Sequence, residues 1–216
     1  MWARTDEPEP RTGTFLVAAG SPGIRVVETW NHLGLRASGS HDAILDDVLL
    51  PHEHAVELRP PAAWQRHDAT LIAWSALTVA ALYDGIATAA RNWLLMFLKT
   101  RTPSNLGLPL ASLPRFQEAF GEIEALLTVN RRLLAAAAED TDRGEPPSVV
   151  ESGLLKSTVT GNAIAAVEAA LRLTGNPGLS RANPLERHYR DVLCGRVHTP
   201  QDDAARTAAG RAALGI

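Results

Sequence analysis

"FQEAFGEIEALLTVNRRLL", residues 116–134, decides the fold class. Phe116, Phe120, Ile123, Leu127 and Leu134 recur at helical spacing, so one face of a helix is apolar and the rest is charged or small. Upstream, "LIAWSALTVAALYDGIATAARNWLLMFL" (71–98) is greasier, but Ser75, Thr78, Asp84, Arg91 and Asn92 interrupt it. It reads as a buried or amphipathic helix rather than a membrane span. The same alanine- and leucine-rich character continues to the end of the chain. It predicts helices near 66–101, 112–141, 147–174, 183–197 and 200–213. The breaks, "TPSNLGLP", "DRGEPP", "GNPGLS" and "HTP", each carry the Gly or Pro that stops a helix. Three long helices with short connections predict an antiparallel, up-down bundle.

The first 60 residues have another character. "TFLVAA" (14–19), "IRVVET" (24–29) and "AILDDVLL" (43–50) are short apolar runs bounded by turn-forming clusters such as "GSPG" and by Pro51. No lead-in strand is expected ahead of them. Three or four strands close neither a barrel nor a sandwich, so an open edge is expected. The sequence therefore divides into an incomplete antiparallel β-domain (1–60) and a helical domain (61–216).

Composition narrows the function classes. A net charge of −3 over 216 residues gives no reason to expect a nucleic-acid or anionic-membrane partner. The single cysteine, Cys194, excludes an internal disulfide and suits a reducing compartment. The polar start does not resemble a secretory signal, so a cytoplasmic location is expected. No cluster of His, Cys and carboxylates has metal-ligand spacing, and no Walker-type loop or Gly-x-Ser-x-Gly elbow occurs.

Four segments resemble the C-terminal half of the acyl-CoA dehydrogenase superfamily. "TWNHLGLRASGSHDAILDDVLLP" (29–51) is similar to its W-x-x-x-G-x-R-x-[ST]-G-S segment with D-D-V-x-x-P. "LKTRTPSNLGLPLASLPRFQEAFGEIE" (98–124) resembles its arginine and second bundle helix. "LRLTGNPGLS" (171–180) resembles its glycine turn, and "PLERHYRDVLCGRVHTPQDD" (184–203) its arginine-aspartate helix and active-site loop. The resemblance implies a mainly α fold. A C-terminal up-down four-helix bundle of acyl-CoA dehydrogenase type would follow a partial antiparallel β-domain. It also implies a flavin cofactor, FAD or FMN, shared between subunits of a homo-oligomer or with a separate chain carrying the domains missing here. The substrate would be an acyl-CoA or a small organic molecule.

Carried over residue by residue, the family's catalytic glutamate falls on Thr199 or near Ser75, and no Asp or Glu occurs from Ala69 through Tyr83. An alcohol is too weakly acidic to serve as the base. His198 stands beside Thr199, and a histidine in this loop resembles the family's flavin-dependent monooxygenases, which take reduced flavin from a separate reductase. Its ordinary pKa, about 6.5, suits proton transfer at neutral pH. The plainer alternative is a helix-terminal histidine bonded to the last carbonyls. By the same resemblance Arg101 would reach the flavin diphosphate, with Gly107, Gly175, Asn176, Thr199 and Gln201 as further cofactor contacts. Arg36, Ser38 and Ser40 would lie near the substrate entrance. Each has a plain reading too: a helix-end arginine, a helix stop, or turn chemistry. Arg190 and Asp191, adjacent and so splayed about 100° apart on a helix, are expected to tie their short helix to the bundle or a partner. A non-catalytic assembly module is the rival from another class.

Overall fold

The proline-rich opening of the chain forms a strand, contrary to expectation. In the computed structural model, which describes residues 1–65 and 68–216, β1 (Trp2–Arg4) pairs antiparallel with β2 (Thr12–Phe15). Side chains between them close the hairpin. The Thr5 hydroxyl donates to Glu7 and accepts the Arg11 N–H at 2.8 Å, while Arg11 and Glu7 form an ion pair at 2.8 Å. Prolines in the connection thus mask a strand that begins before them. β2 also pairs with β5 (Ala55–Arg59), giving a three-stranded sheet in the order β1-β2-β5. β3 (Ile24–Val27) and β4 (Asp42–Leu45) make a separate two-stranded ladder. The expected strands are therefore present but shorter, and β1 and β5 are additional. Pro61–Gln65, assigned above to the helical part, is a 3-10 turn of this first unit. Trp64 holds it there, donating its indole N–H to the Thr12 carbonyl at 3.1 Å and meeting Trp2 edge-on.

The second unit comprises Leu33–Leu35 and Asp68–Ile216. The Asp68 carboxylate caps α1 (Ala69–Thr100) by accepting the N–H groups of Thr70 and Leu71. The helix start expected at residue 66 falls outside the described residues. α2 (Pro114–Asp142) opens with proline at its first position, and Ser148 caps α3 (Val149–Thr174). A single turn, α4 (Asn176–Leu179), then leads to α5 (Leu185–Val192) and α6 (Asp202–Leu214). The three long helices pack on one another, and α6 lies against α3.

α1 is long and apolar enough to cross a bilayer by length and composition, but ten of its residues are buried in this bundle. It packs on α3, and both helices bury small side chains, Ala80, Ala87 and Ala90 in α1 and Ala163, Ala166 and Ala170 in α3. Such residues let two helices approach closely. Phe116, Ile123 and Leu127 of α2 are buried as the periodicity requires, and Phe120 packs at the edge of the same core. One turn after Leu127 that face carries Asn130, which is completely buried. Its amide donates to Asp84 of α1 at 2.8 Å and to the Val159 carbonyl of α3 at 3.1 Å, and its oxygen accepts from Asn162 at 2.9 Å. A single polar side chain therefore registers all three long helices.

Candidate functional site

α5 is anchored by a short strap, Leu33-Gly34-Leu35. Asp191 accepts the Leu35 N–H at 2.7 Å, and Arg190 donates to the Leu33 carbonyl at 2.8 Å while pairing with Glu186. A Cβ on Gly34 would lie 2.1 Å from the Arg190 carbonyl oxygen, so only glycine permits this approach. The glycine of W-x-x-x-G-x-R and the arginine-aspartate pair of α5 thus meet. Arg190 and Asp191 are structural ties, and they hold the strap rather than the long helices.

Beyond α5 the chain makes a 3-10 turn (Leu193–Arg196) and then the loop bearing His198. His198 Nδ1 lies 3.1 Å from the hydroxyl of Tyr83, and the two rings meet edge-on. The imidazole is therefore bonded to a phenol in the middle of α1, not to the last carbonyls of a helix; only the His198 backbone N–H makes such a bond, to Cys194. Burial pushes the Tyr83 hydroxyl up to about 12, with Cys194 and Asp191 adding to the effect. It stays protonated at neutral pH and can donate to Nδ1 of a neutral imidazole or, after rotation, accept from the protonated one. Residue 198 itself is exposed, so one edge is anchored and the ring remains accessible.

Lys156 of α3 sits beneath this loop with no exposed surface. Its ammonium donates to the Gly195 carbonyl at 2.6 Å and stands 3.6 Å from an Asp202 carboxylate oxygen. Burial pushes its pKa down, and Asp202 opposes the shift. Tyr83, Lys156 and Asp202 were not among the expected site residues. The available signal was a lysine at helical spacing from Ser152, Val159 and Ala163, on a face whose other members are small or uncharged.

Thr199 and Gln201 are exposed on the same loop. Gln201 lines an open groove of about 630 Å³ with Glu168, Arg196, Asp202, Asp203 and Arg206. Arg101 is the exposed residue closing α1, and its backbone N–H bonds to the Phe97 carbonyl. It lies eighteen residues after Tyr83, about 27 Å along the helix axis. The fold therefore brings Tyr83 and His198 together but holds Arg101 at another level. Gly107 and Gly175 both have positive φ, +68° and +60°, in exposed turns, and Asn176 follows the second at the start of α4. Arg36, Ser38 and Ser40 are exposed in the strand-bearing unit, where the Ser38 and Ser40 hydroxyls are 3.2 Å apart. Ser75, the other position considered for a carboxylate base, is exposed on α1. Cys194 is a half-buried free thiol against the core. Among the described residues no group of three or more His, Cys, Asp and Glu could hold a metal ion.

Three long helices packed on one another, closed by the arginine-aspartate helix and by a loop whose histidine reaches the first long helix, make up this helical domain. Residues 77–202 match the family model described as acyl-CoA dehydrogenase, C-terminal domain. The chain belongs to that family, and its fold is mainly α with a small antiparallel β portion. YdbM of Bacillus subtilis strain 168, named as a candidate acyl-CoA dehydrogenase, is 35% identical over 206 residues, covering 92% of this chain and 51% of that protein. L-evernosamine nitrososynthase of a Micromonospora species is 31% identical over 225 residues, covering 99% and 52%. The structure of KijD3 with FMN and a dTDP-amino sugar superposes with a TM-score of 0.84 at 26% identity, covering 100% of this chain and 55% of that one. The chain spans about half the length of the relatives it matches.

Proposed function

We propose that this chain supplies the helical part of a flavin-dependent oxidoreductase site, in which His198 manages a proton beside the flavin. The observation that carries the reading is the exposed imidazole fixed through Nδ1 to Tyr83, beside Thr199 in the active-site loop of the family. When bound, FAD or FMN supplies two-electron redox chemistry. The protein's part is to orient His198, with Tyr83 holding Nδ1 so that Nε2 is the atom presented for proton transfer. Arg101, whose guanidinium pairs with no carboxylate among the described residues, suits a diphosphate. Its separation from Tyr83 along α1 favours a cofactor that meets Arg101 in one subunit and His198 in another. The backbone turns at Gly107 and Gly175–Asn176 and the side chains of Thr199 and Gln201 complete the proposed cofactor contacts, and Arg36, Ser38 and Ser40 are the proposed substrate residues.

Oxygenation is favoured over dehydrogenation of an acyl-CoA. Dehydrogenation requires a carboxylate base for the α-proton, and positions 199 and 75 hold Thr and Ser. The chain is similar both to a protein named an acyl-CoA dehydrogenase and to a nitrososynthase, so the choice rests on the residues at positions 199 and 75. A homo-oligomer acting in the cytoplasm on a small organic molecule completes the proposal.

Gel filtration with added FAD or FMN tests it, reading the flavin absorbance retained by the chain. Retention that Arg101→Ala weakens supports the reading. In the flavin-loaded protein, His198→Asn should slow reoxidation of reduced flavin by dioxygen about a hundredfold while leaving the melting temperature unchanged. No retained flavin refutes a flavin site complete in this chain alone, and an equal loss of stability and rate refutes the proton role.

A further inference from the structure

Lys156 is costly to explain as packing. Transferring an ammonium into a protein interior is unfavourable unless its charge is answered by good hydrogen bonds. A leucine or methionine would fill the same space without that penalty. Lys156 has no exposed surface, and its two partners flank a single loop. One is the Gly195 carbonyl, three residues before His198; the other is Asp202, four residues after it. The loop between them is exposed except for half-buried Pro200. Asp202 Oδ1 is itself buried and accepts no hydrogen bond in the structure, while Oδ2 lies 3.7 Å from the exposed guanidinium of Arg206. Gly195 is pressed against its surroundings: a Cβ there would lie 3.3 Å from both Thr160 and the Tyr83 ring. Tyr83 in turn holds His198.

We propose that Lys156 is a positioning residue that fastens the His198 loop at both ends, through the Gly195 carbonyl and the Asp202 carboxylate, and so sets the Tyr83–His198 contact. One buried cation does what two separate anchors would otherwise have to do. Fastening both ends reduces the freedom of the intervening segment, so the imidazole is held at Tyr83 before any ligand arrives. The importance of this device for chemistry rests on the proposed role of His198, but its existence does not.

The test reads the imidazole directly and needs no flavin. In histidine-labelled protein the ring-nitrogen signals of His198, identified by their loss in His198→Asn, are compared among wild type, Lys156→Met, Asp202→Asn and Tyr83→Phe. Lys156→Met should move the Nδ1 signal to its Tyr83→Phe value, because both variants release the ring. Amide hydrogen exchange across residues 196–202 should rise about tenfold or more, while exchange in the middle of α2 stays as in wild type. Asp202→Asn, at the partly exposed end of the clamp, should produce a smaller change in the same direction, and it decides the matter if Lys156→Met does not fold. Wild-type His198 signals and loop exchange in the folded variants would overturn the proposal even if melting temperatures fell, since Lys156 would then be an ordinary core contributor. An unchanged rate of flavin reoxidation in His198→Asn would sink the functional reading and leave this one standing. Retained flavin with unmoved signals would do the reverse.

Discussion

Replacing Asn130 by leucine should be among the most damaging single changes in the bundle. The substitution roughly conserves volume but removes three hydrogen bonds, to Asp84, Val159 and Asn162, from a side chain with no exposed surface. Each bond contributes about 1 kcal/mol net, and a buried acceptor left without its donor costs about 1–3 kcal/mol more. Asp84 is 8% exposed and can recover little solvation after losing the amide. The Val159 carbonyl keeps its place in the helix ladder, and half-buried Asn162 can turn toward water. The expected loss is therefore about 3–5 kcal/mol, a large part of the roughly 5–15 kcal/mol typical of a folded domain. For a chain of this size that corresponds to a fall in melting temperature of about 10 °C. Urea unfolding followed by circular dichroism measures it, and a double-mutant cycle with Asp84→Asn isolates the coupling between the two residues. A loss below about 1 kcal/mol, with no coupling to residue 84, would refute the claim that this side chain registers the three helices.

The strap and α5 yield two further expectations. Gly34→Ala places a methyl group 2.1 Å from the Arg190 carbonyl oxygen and must lift the strap from α5; the expected destabilisation is about 1–3 kcal/mol or more, read by urea unfolding, with faster exchange of the Leu35 amide. An unchanged midpoint would show that the strap is dispensable. His188 is half-buried, and its pKa is pushed down by burial and by Arg187, against an opposing pull from Asp191. The unfolded chain then binds this proton more readily than the native one, so the stability associated with neutral His188 is complete above the ordinary histidine pKa of about 6.5 and is lost as pH falls below it. His188→Asn should flatten that part of the stability–pH curve, and an unchanged slope would assign the acid sensitivity to other groups.

Much of the helical unit was legible in the residues because its signals are local. The face of Phe116, Ile123 and Leu127 needs only the 3.6-residue repeat, and the Gly- and Pro-bearing breaks placed the ends of the long helices within a few residues. The strand unit was less legible. β1 hides before a proline-rich connection, and β5, "AVELR", is a short edge strand whose pairing with Thr12–Phe15 spans some forty residues of intervening chain. Such pairing is decided by partners distant in sequence, so composition alone says little about it.

At the candidate site the division is sharper. His198, Thr199 and Gln201 could be singled out because they are consecutive or nearly so in a loop of recognisable pattern. Tyr83 and Lys156 could not, because each acquires its meaning from a residue on another element: the hydroxyl meets an imidazole 115 positions later, and the ammonium meets a carbonyl 39 positions later. The sequence by itself determined the helical class, the helix boundaries and the family, all properties of short-range periodicity and contiguous motifs. Only the tertiary structure decided that Gly34 belongs against α5, that Asn130 joins three helices, and that a buried lysine holds the loop of His198. Hydrogen bonds and desolvation depend on which groups meet in space, and that juxtaposition comes into being only when the chain is folded.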